Sequence, residues 1–114
     1  MNPEPLRTYL RTHRRRTCLS QDEVAFLLGS MCGTIVSRHE QGARLPMLET
    51  VLAYAFIFQT DVPGLYEGVF QEIQKKVRTR AKGLCRSLER RPKGSRRDHK
   101  IAHLKTLLND EREN

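Results

Sequence analysis

Apolar residues recur every three or four positions along most of this 114-residue chain. This spacing places them on one face of an α-helix, so the pattern predicts an all-α protein. Capping residues, glycines and prolines divide it into seven predicted helices. These are a first helix beginning after Asn2, a second from Ser20, a third from Gly33 to Gln41, a fourth from Pro46 to Gln59, a fifth after Asp61, a long helix from Tyr66 to Glu89, and a short helix carrying Ile101, Leu104, Leu107 and Leu108.

The second and third predicted helices are short and close together in the sequence. Ser20 and Glu23 have the spacing of a capping box, and Gly29 ends the second helix. Its expected inward stripe is Val24, Leu27 and Leu28. In the third helix, the expected inward residues are Ile35, Val36 and His39, and the outward ones are Thr34, Ser37, Arg38 and Gln41. Two short helices joined by a tight turn, the second with outward polar side chains, are typical of a helix-turn-helix, which predicts DNA binding.

The outward side of the third helix supplies the candidate contacts to DNA. Arg38 is the first candidate for reading a base, because its guanidinium can meet both acceptors of a guanine. Thr34 would offer a hydroxyl or a methyl group to the neighbouring base. Ser37 and Gly33 complete the predicted base-contacting set, and Gln41 is predicted to contact phosphate.

Several short motifs, in this order, resemble the phage Cro and repressor type of helix-turn-helix, the XRE family. They are Leu19-Ser20-Gln21, Leu28-Gly29, Val36-Ser37-Arg38-x-Glu40-x-Gly42, Leu45-Pro46 and Leu48-Glu49-Thr50. The likeness covers roughly residues 6–66, although the segment between Gly29 and Val36 is about one residue longer than the usual family spacing. The resemblance implies a five-helix, lambda-repressor-like domain.

The resemblance also implies roles for individual residues. Arg14 would form a structural ion pair with Glu40, with Arg11 as the second choice for that pairing. Gln21 would contact the DNA backbone through its amide side chain, at a helix N-terminus that favours phosphate. Arg44 would hold phosphate from the loop that follows the third helix. Gly33 stands where the family often has a side chain.

Charge separates the helix-turn-helix from the rest of the chain. The net charge is +8, but residues 1–70 carry seven lysines and arginines against seven acidic residues, whereas residues 71–100 carry twelve against three. Apart from Arg14, the arginines of the first helix are interpreted as a face exposed to solvent. The basic segment can attract phosphate non-specifically or serve an acidic protein partner.

We expect a helix-turn-helix domain over residues 1–68, a basic amphipathic helical arm over 69–91, and a flexible basic linker with a short C-terminal helix over 92–114. The expected core positions of the fourth helix are Leu48, Val51, Leu52, Ala55 and Phe56. The expected apolar stripe of the arm is Val69, Ile73, Val77, Ala81, Leu84 and Leu88. The other apolar residues of the fourth helix, Tyr54, Ile57 or Phe58, should meet either the fifth helix or a second subunit. The stripe of the arm also needs a partner, which can be a second subunit or another protein.

Other kinds of chemistry have little support in the sequence. No phosphate-binding glycine loop, nucleophile motif or acid–base pair is present, so no enzyme activity and no cofactor are predicted. His99 and His103 are four residues apart but lack a nearby carboxylate or cysteine, so no metal is predicted. Three cysteines without paired spacing suggest a reducing compartment. With no apolar run long enough to cross a bilayer, a cytoplasmic protein is expected.

These observations predict a sequence-specific regulator of transcription that binds double-stranded DNA as a homodimer on a symmetric operator. The alternative is a protein-interaction module, such as an antitoxin or an assembly factor, with only non-specific nucleic-acid binding. A third possibility is RNA binding through the basic arm.

Overall fold

The structure is a computed structural model and describes residues 8–109. These residues form seven α-helices and no strand, as the apolar spacing predicts. The helices are α1 (Leu10–Thr17), α2 (Gln21–Leu27), α3 (Thr34–Glu40), α4 (Leu48–Ile57), α5 (Val62–Leu65), α6 (Glu67–Glu89) and α7 (Ser95–Asn109).

The chain divides into two compact units, with the boundary between Gln71 and Glu72 inside α6. The N-terminal unit contains α1 to α5 and the start of α6. The C-terminal unit contains the rest of α6 and all of α7. The arm and the final helix, which were expected as separate segments over 69–91 and 92–114, therefore lie largely in one unit.

The core of the N-terminal unit draws buried side chains from each of its first five helices. The buried residues are Leu10, Val24, Ala25, Val36, Val51, Tyr54, Phe58, Leu65 and Tyr66. Three aromatic rings extend through it, because His13 stacks on Phe58 at 6.2 Å between ring centroids and Phe58 stacks on Tyr54 at 5.9 Å. This core fixes the positions of α2 and α3 relative to each other and to α1.

The first helix begins later than predicted. The proposed cap, Asn2, lies outside the described residues, whereas Thr8 and Tyr9 are described and are not helical. The amide of Tyr9 donates to the carbonyl of Leu65 at 2.8 Å, and the Thr8 hydroxyl accepts from the amide of Leu10 at 3.1 Å. These two hydrogen bonds hold the backbone before α1 in a non-helical course.

The outward and inward faces of α4 differ from the prediction. Val51 and Tyr54 are buried, and Phe58, just after the helix, is buried as well. By contrast, the predicted core residues Leu48, Leu52 and Phe56 are exposed, as Leu27 is in α2. A helix that is apolar all round has no polar face to identify its inward side. Spacing alone therefore could not show which side of α4 enters the core. Pro46 lies before the N-cap residue Met47, not in the first turn.

The cap of α5 follows the prediction. The carboxylate of Asp61 accepts a hydrogen bond from the amide of Gly64 at 2.7 Å, and Pro63 lies in the first turn. Leu65 and Tyr66 enter the core, but Phe70, which was expected beside them, is exposed.

The C-terminal unit is an antiparallel pair of helices with a small core. Its buried side chains are Ala81, Cys85, Leu88 and Ile101. Arg78 Nε donates to the carbonyl of Leu107 at 3.2 Å, and Arg97 Nε donates to the carbonyl of Leu88 at 2.9 Å. Since α7 already begins at Ser95, the connection between the helices comprises residues 90–94 and is shorter than the predicted basic linker. Ile73, Val77 and Leu84 of the predicted stripe are exposed.

Across residues 8–109, none of the helices combines the length and the apolar composition that crossing a membrane requires.

Candidate nucleic-acid interface

The N-terminal end of α3 is seated against the start of α2. Gly33, the N-cap of α3, is buried, and its amide donates to Asp22 Oδ1 at 2.8 Å. A Cβ atom at this position would lie 2.9 Å from the backbone nitrogen of Asp22 and 2.9 Å from the backbone carbon of Gln21. Only glycine permits this close approach. Gly33 therefore positions α3, and the prediction that it contacts a base is corrected, because the residue is covered by its own protein.

The same end of α2 shows the predicted local chemistry. The Ser20 hydroxyl accepts from the amide of Glu23 at 3.0 Å, and the Glu23 carboxylate accepts from the amide of Ser20 at 2.8 Å. This reciprocal pair is the predicted capping box. Gly29 ends the α2 segment with a φ of 82°, and Gly42 ends the α3 segment with a φ of 73°. The start of α2 and the ends of both helices are thus set by local sequence.

The inward side of α3 is anchored by a histidine and a tyrosine. His39 and Val36 are buried, and His39 Nδ1 lies 2.7 Å from the hydroxyl of Tyr54 on α4. The two rings meet edge to face at 5.7 Å. Burial, with the nearby charge of Arg44, lowers the pKa of His39 below its ordinary value. Burial also raises the pKa of Tyr54 above its ordinary value.

The lowered pKa of His39 predicts a dependence of stability on pH. In the unfolded chain His39 takes up its proton near pH 6.5, whereas in the folded chain it does so only at lower pH. The unfolded state therefore binds more protons as the pH falls below about 6.5, and the contribution of His39 to stability, present above that pH, is lost on acidification.

Urea unfolding at a series of pH values between 8 and 5 measures this effect. We expect the change in unfolding free energy over this range to be smaller in His39→Gln than in the wild type, even if the variant is less stable at every pH. An identical pH dependence in the two proteins would contradict the assignment.

A second anchor is a hydrogen-bonded network centred on Glu40, at the end of α3. Arg14 Nε donates to Glu40 Oε2, Arg14 Nη2 donates to Oε1 at 3.2 Å, and Arg14 Nη1 donates to the carbonyl of Leu19 at 3.1 Å. The Glu40 side chain is only 4% exposed and that of Arg14 is 13% exposed. The hydrogen bond and charge of Glu40 raise the pKa of Arg14. The structure thus brings together the two residues for which the resemblance implies an ion pair.

Gln21 belongs to the same network. Its Nε2 donates to Glu40 Oε1 at 3.1 Å, and the side chain is half-buried. For Gln21 the resemblance implied a contact with the DNA backbone. In the structure its amide group supports the carboxylate that orients the end of α3, and we assign it a positioning role.

The outward side of α3 presents polar side chains to solvent. Thr34, Arg38 and Gln41 are exposed, and Ser37 is half-buried. Gln41 Nε2 donates to the Ser37 hydroxyl at 3.3 Å, so these two side chains lie together on the surface. We call the four residues the α3 polar face. Arg44 is exposed in the loop that follows α3.

Cys32 lies beside this face, in the turn before α3. Its thiol is exposed and donates to the Thr34 hydroxyl at 3.5 Å. Hydrogen bonds with Thr34 lower the pKa of Cys32. Thr34 therefore has a partner within the protein at the position where it was predicted to meet a base.

Sequence reasoning gave Arg11 only as the second choice for the pairing with Glu40 and assigned it no contact of its own. The structure has a depression of about 280 Å³ lined by Arg11, Gln21, Ser37, Glu40 and Gln41. Arg11 precedes Arg14 by three residues on the same side of α1, and this spacing was the available signal. The depression gathers the amide group of Gln41 and the guanidinium of Arg11 next to the α3 polar face, beside the Gln21 amide that is bonded to Glu40. Such donors suit the oxygen atoms of a phosphate.

No group of three histidine, cysteine, aspartate or glutamate side chains within residues 8–109 is arranged to hold a metal ion. The side chains that the fold gathers near α3 are hydrogen-bond donors and acceptors from α1, α2 and α3. In comparisons with known proteins, no protein-family model, no curated protein and no solved structure matches the chain.

Proposed function

We propose that this protein is a sequence-specific regulator of transcription that acts in the cytoplasm and binds double-stranded DNA as a homodimer. The proposal rests on one observation above all. One side of α3 is buried through Val36 and His39, both ends are anchored, and the opposite side exposes Thr34, Arg38 and Gln41. A short helix fixed in this way can present a constant set of donors and acceptors to a groove of DNA.

The dimensions of helix and groove match. An α-helix with its side chains is about 10–12 Å across, and the major groove of B-DNA is about 12 Å wide. In the groove, the guanidinium of Arg38 would meet the N7 and O6 atoms of a guanine, with Thr34 and Ser37 beside the neighbouring base pairs. The anchoring network around Glu40 and the packed His39 would keep these side chains in register with the bases.

Phosphate contacts would come from the residues that border the α3 polar face. Arg44 lies after its C-terminal end, and Arg11 and Gln41 line the depression on one side. Contacts of this kind set orientation and affinity but carry no sequence information. They also make binding depend on salt, because each neutralised phosphate releases counterions.

Arg44→Ala should weaken binding to every duplex alike and reduce the slope of log affinity against log salt concentration by about one. Fluorescence anisotropy of a labelled duplex at rising salt measures both quantities. Arg16→Ala, which removes an exposed arginine of α1, is the matched control and should leave the slope unchanged. Equal slopes for the two variants would remove Arg44 from the interface.

The dimer proposal draws on the exposed apolar side of α4. Leu48, Leu52 and Phe56 follow one another at four-residue spacing and are all more than half exposed, next to exposed Leu45 and Met47. Together they expose on the order of a few hundred Å² of apolar surface, a size that marks interaction surfaces. Glu49 is the only charged residue in α4, so two copies can face each other across this stripe without opposing like charges.

Phe56→Glu should convert the dimer to a monomer, since it would place two carboxylates in a symmetric apolar contact. Sedimentation equilibrium of the purified protein measures the change. Phe26→Glu, at an exposed phenylalanine of α2, is the matched control and should remain dimeric. A dimer that survives Phe56→Glu but not Phe26→Glu would place the contact on α2.

A protein-interaction module is the second candidate, and the charge distribution is the observation that favours it. The N-terminal unit has no excess of basic residues, whereas the excess lies in the residues of the C-terminal unit. This module would bind random and selected duplexes with the same affinity. The regulator, by contrast, would prefer its operator by roughly three orders of magnitude or more at physiological salt.

A further inference from the structure

We propose that a groove between α6 and α7 binds an acidic, amphipathic helix of another protein. The groove has a volume of about 500 Å³ and lies wholly within the C-terminal unit. It combines an apolar floor with a cationic rim. This inference concerns a surface separate from the α3 polar face and does not depend on DNA binding.

Leucine side chains from both helices form the floor. Leu84 and Leu88 contribute from α6, and Leu104 contributes from α7. Leu88 is buried, but Leu84 remains 50% exposed. Two further exposed residues, Ile73 and Val77, precede Leu84 on the same side of α6 at four- and seven-residue spacing. From Ile73 to Leu88 this apolar side extends over about 22 Å, the length of a helix of four turns.

The two helices of the unit do not cover this apolar surface themselves. Only four side chains are buried between the two helices, and two of these are the small residues Ala81 and Cys85. An isolated pair of helices with so few large buried groups gains little hydrophobic stabilisation. A third helix lying along the groove would cover Leu84, Val77 and Ile73 and complete a compact three-helix packing.

The rim indicates the charge of the bound helix. Arg91, Lys100, His99 and His103 line the groove, and no acidic residue among residues 8–109 does. Carboxylates along the edges of a bound helix would pair with Arg91 and Lys100 while its apolar residues meet the leucines. Opposite charges at the rim would also steer the partner to the groove.

Charge argues against other occupants. Residues 72–109 carry thirteen lysines and arginines against three acidic residues, so a second copy would bring like-charged rims together. A nucleic acid would match the charge, but its phosphates gain nothing from an apolar floor. An acidic amphipathic helix is the occupant that satisfies both the leucines and the cations.

The test uses the full chain and a labelled 18-residue peptide built from leucine, alanine and glutamate, with the leucines on one helical stripe. A peptide of the same composition with its leucines dispersed is the control ligand. We expect saturable binding of the striped peptide in fluorescence anisotropy, at least ten-fold tighter than binding of the dispersed one.

Variants locate the site. Leu84→Glu and Lys100→Glu should each weaken binding of the striped peptide at least five-fold. The matched controls are Leu27→Glu, at an exposed leucine of α2, and Lys82→Glu, on the side of α6 away from the groove, and both should bind as the wild type does.

Three results would overturn the proposal. The first is equal binding of the two peptides, which would reduce the effect to unspecific charge attraction. The second is a pair of groove variants that bind like their controls. The third is self-association abolished by Leu84→Glu, which would make a second copy the occupant. Because the peptide contains no nucleic acid, these outcomes leave the regulator proposal to its own experiments.

Discussion

Glu40→Ala is expected to lower the free energy of unfolding of the N-terminal unit by about 3–5 kcal/mol, the range for breaking a buried ion pair. Glu40 accepts two hydrogen bonds from Arg14 and one from Gln21, in a place where its side chain is 4% exposed. Removing the carboxylate leaves the Arg14 guanidinium with little water and no counter-charge. The cost therefore comes mainly from the group that is left behind, not from the lost attraction.

A double-mutant cycle separates these two contributions. Arg14→Ala should also destabilise the protein, and the double variant Arg14→Ala, Glu40→Ala should lose less stability than the two single variants added together. Urea unfolding measures all four proteins, and Arg15→Ala, at an exposed neighbour in α1, is the control, with an expected change within about 0.5 kcal/mol. Strict additivity of the two single losses would show that the pair does not act as a unit.

The same network has a consequence for DNA binding. Glu40 is two residues from Arg38 in α3, so loosening it changes the angle at which the α3 polar face is presented. A binding defect in Glu40→Ala would thus be a positioning effect. Glu40→Gln, which keeps the shape and one acceptor, should recover part of both stability and binding.

Arg38→Ala is expected to remove the preference for one base pair of the operator, at a cost of about 1–3 kcal/mol in discrimination. At room temperature this corresponds to a loss of roughly 5- to 150-fold in the ratio of affinities for the correct and the substituted site. The side chain is exposed and makes no hydrogen bond among the described residues, so the variant should fold like the wild type.

Competition binding with duplexes substituted at each operator position measures this preference. Arg38→Ala should flatten the profile at one position and leave the others in place. Arg15→Ala, again an exposed arginine outside the α3 polar face, should retain the full profile. If Arg38→Ala kept the wild-type profile at every position, base reading would have to be assigned to other residues.

Local signals in the sequence predicted the elements around α3 well. The capping box of Ser20 and Glu23, the glycines at positions 29 and 42, and the cap of Asp61 all lie where they were expected. Each depends on hydrogen bonds or φ angles within a few residues of the chain, and these are properties that a short segment carries by itself.

Contacts between distant segments were harder to predict. The apolar side of α4 that enters the core contains Val51 and Tyr54, because Tyr54 meets His39, and no feature within residues 48–57 indicates that partner. The close contact of Gly33 with Asp22 was not predicted, because it becomes visible only once α2 and α3 are packed. The hydrogen bond from Gln21 to Glu40 was not predicted either, since its acceptor is nineteen residues away.

The long helix α6 was predicted well from local sequence, whereas its partner helix was not. Its limits, Glu67 to Glu89, agree closely with the apolar spacing. Its partner, α7, starts six residues before Ile101, where the sequence is rich in arginine and shows no apolar periodicity. Polar residues can occupy the first turns of a helix whose later turns are packed, and the apolar pattern then marks only the packed part.

The central claim is that the α3 polar face distinguishes one DNA sequence from another. Selection of bound duplexes from a random library, using the 114-residue chain at physiological salt, tests it most directly. We expect enrichment of a two-fold symmetric site whose half-sites are centred about one helical turn, roughly 34 Å, apart. A bound pool with the same sequence composition as the starting library would contradict the claim.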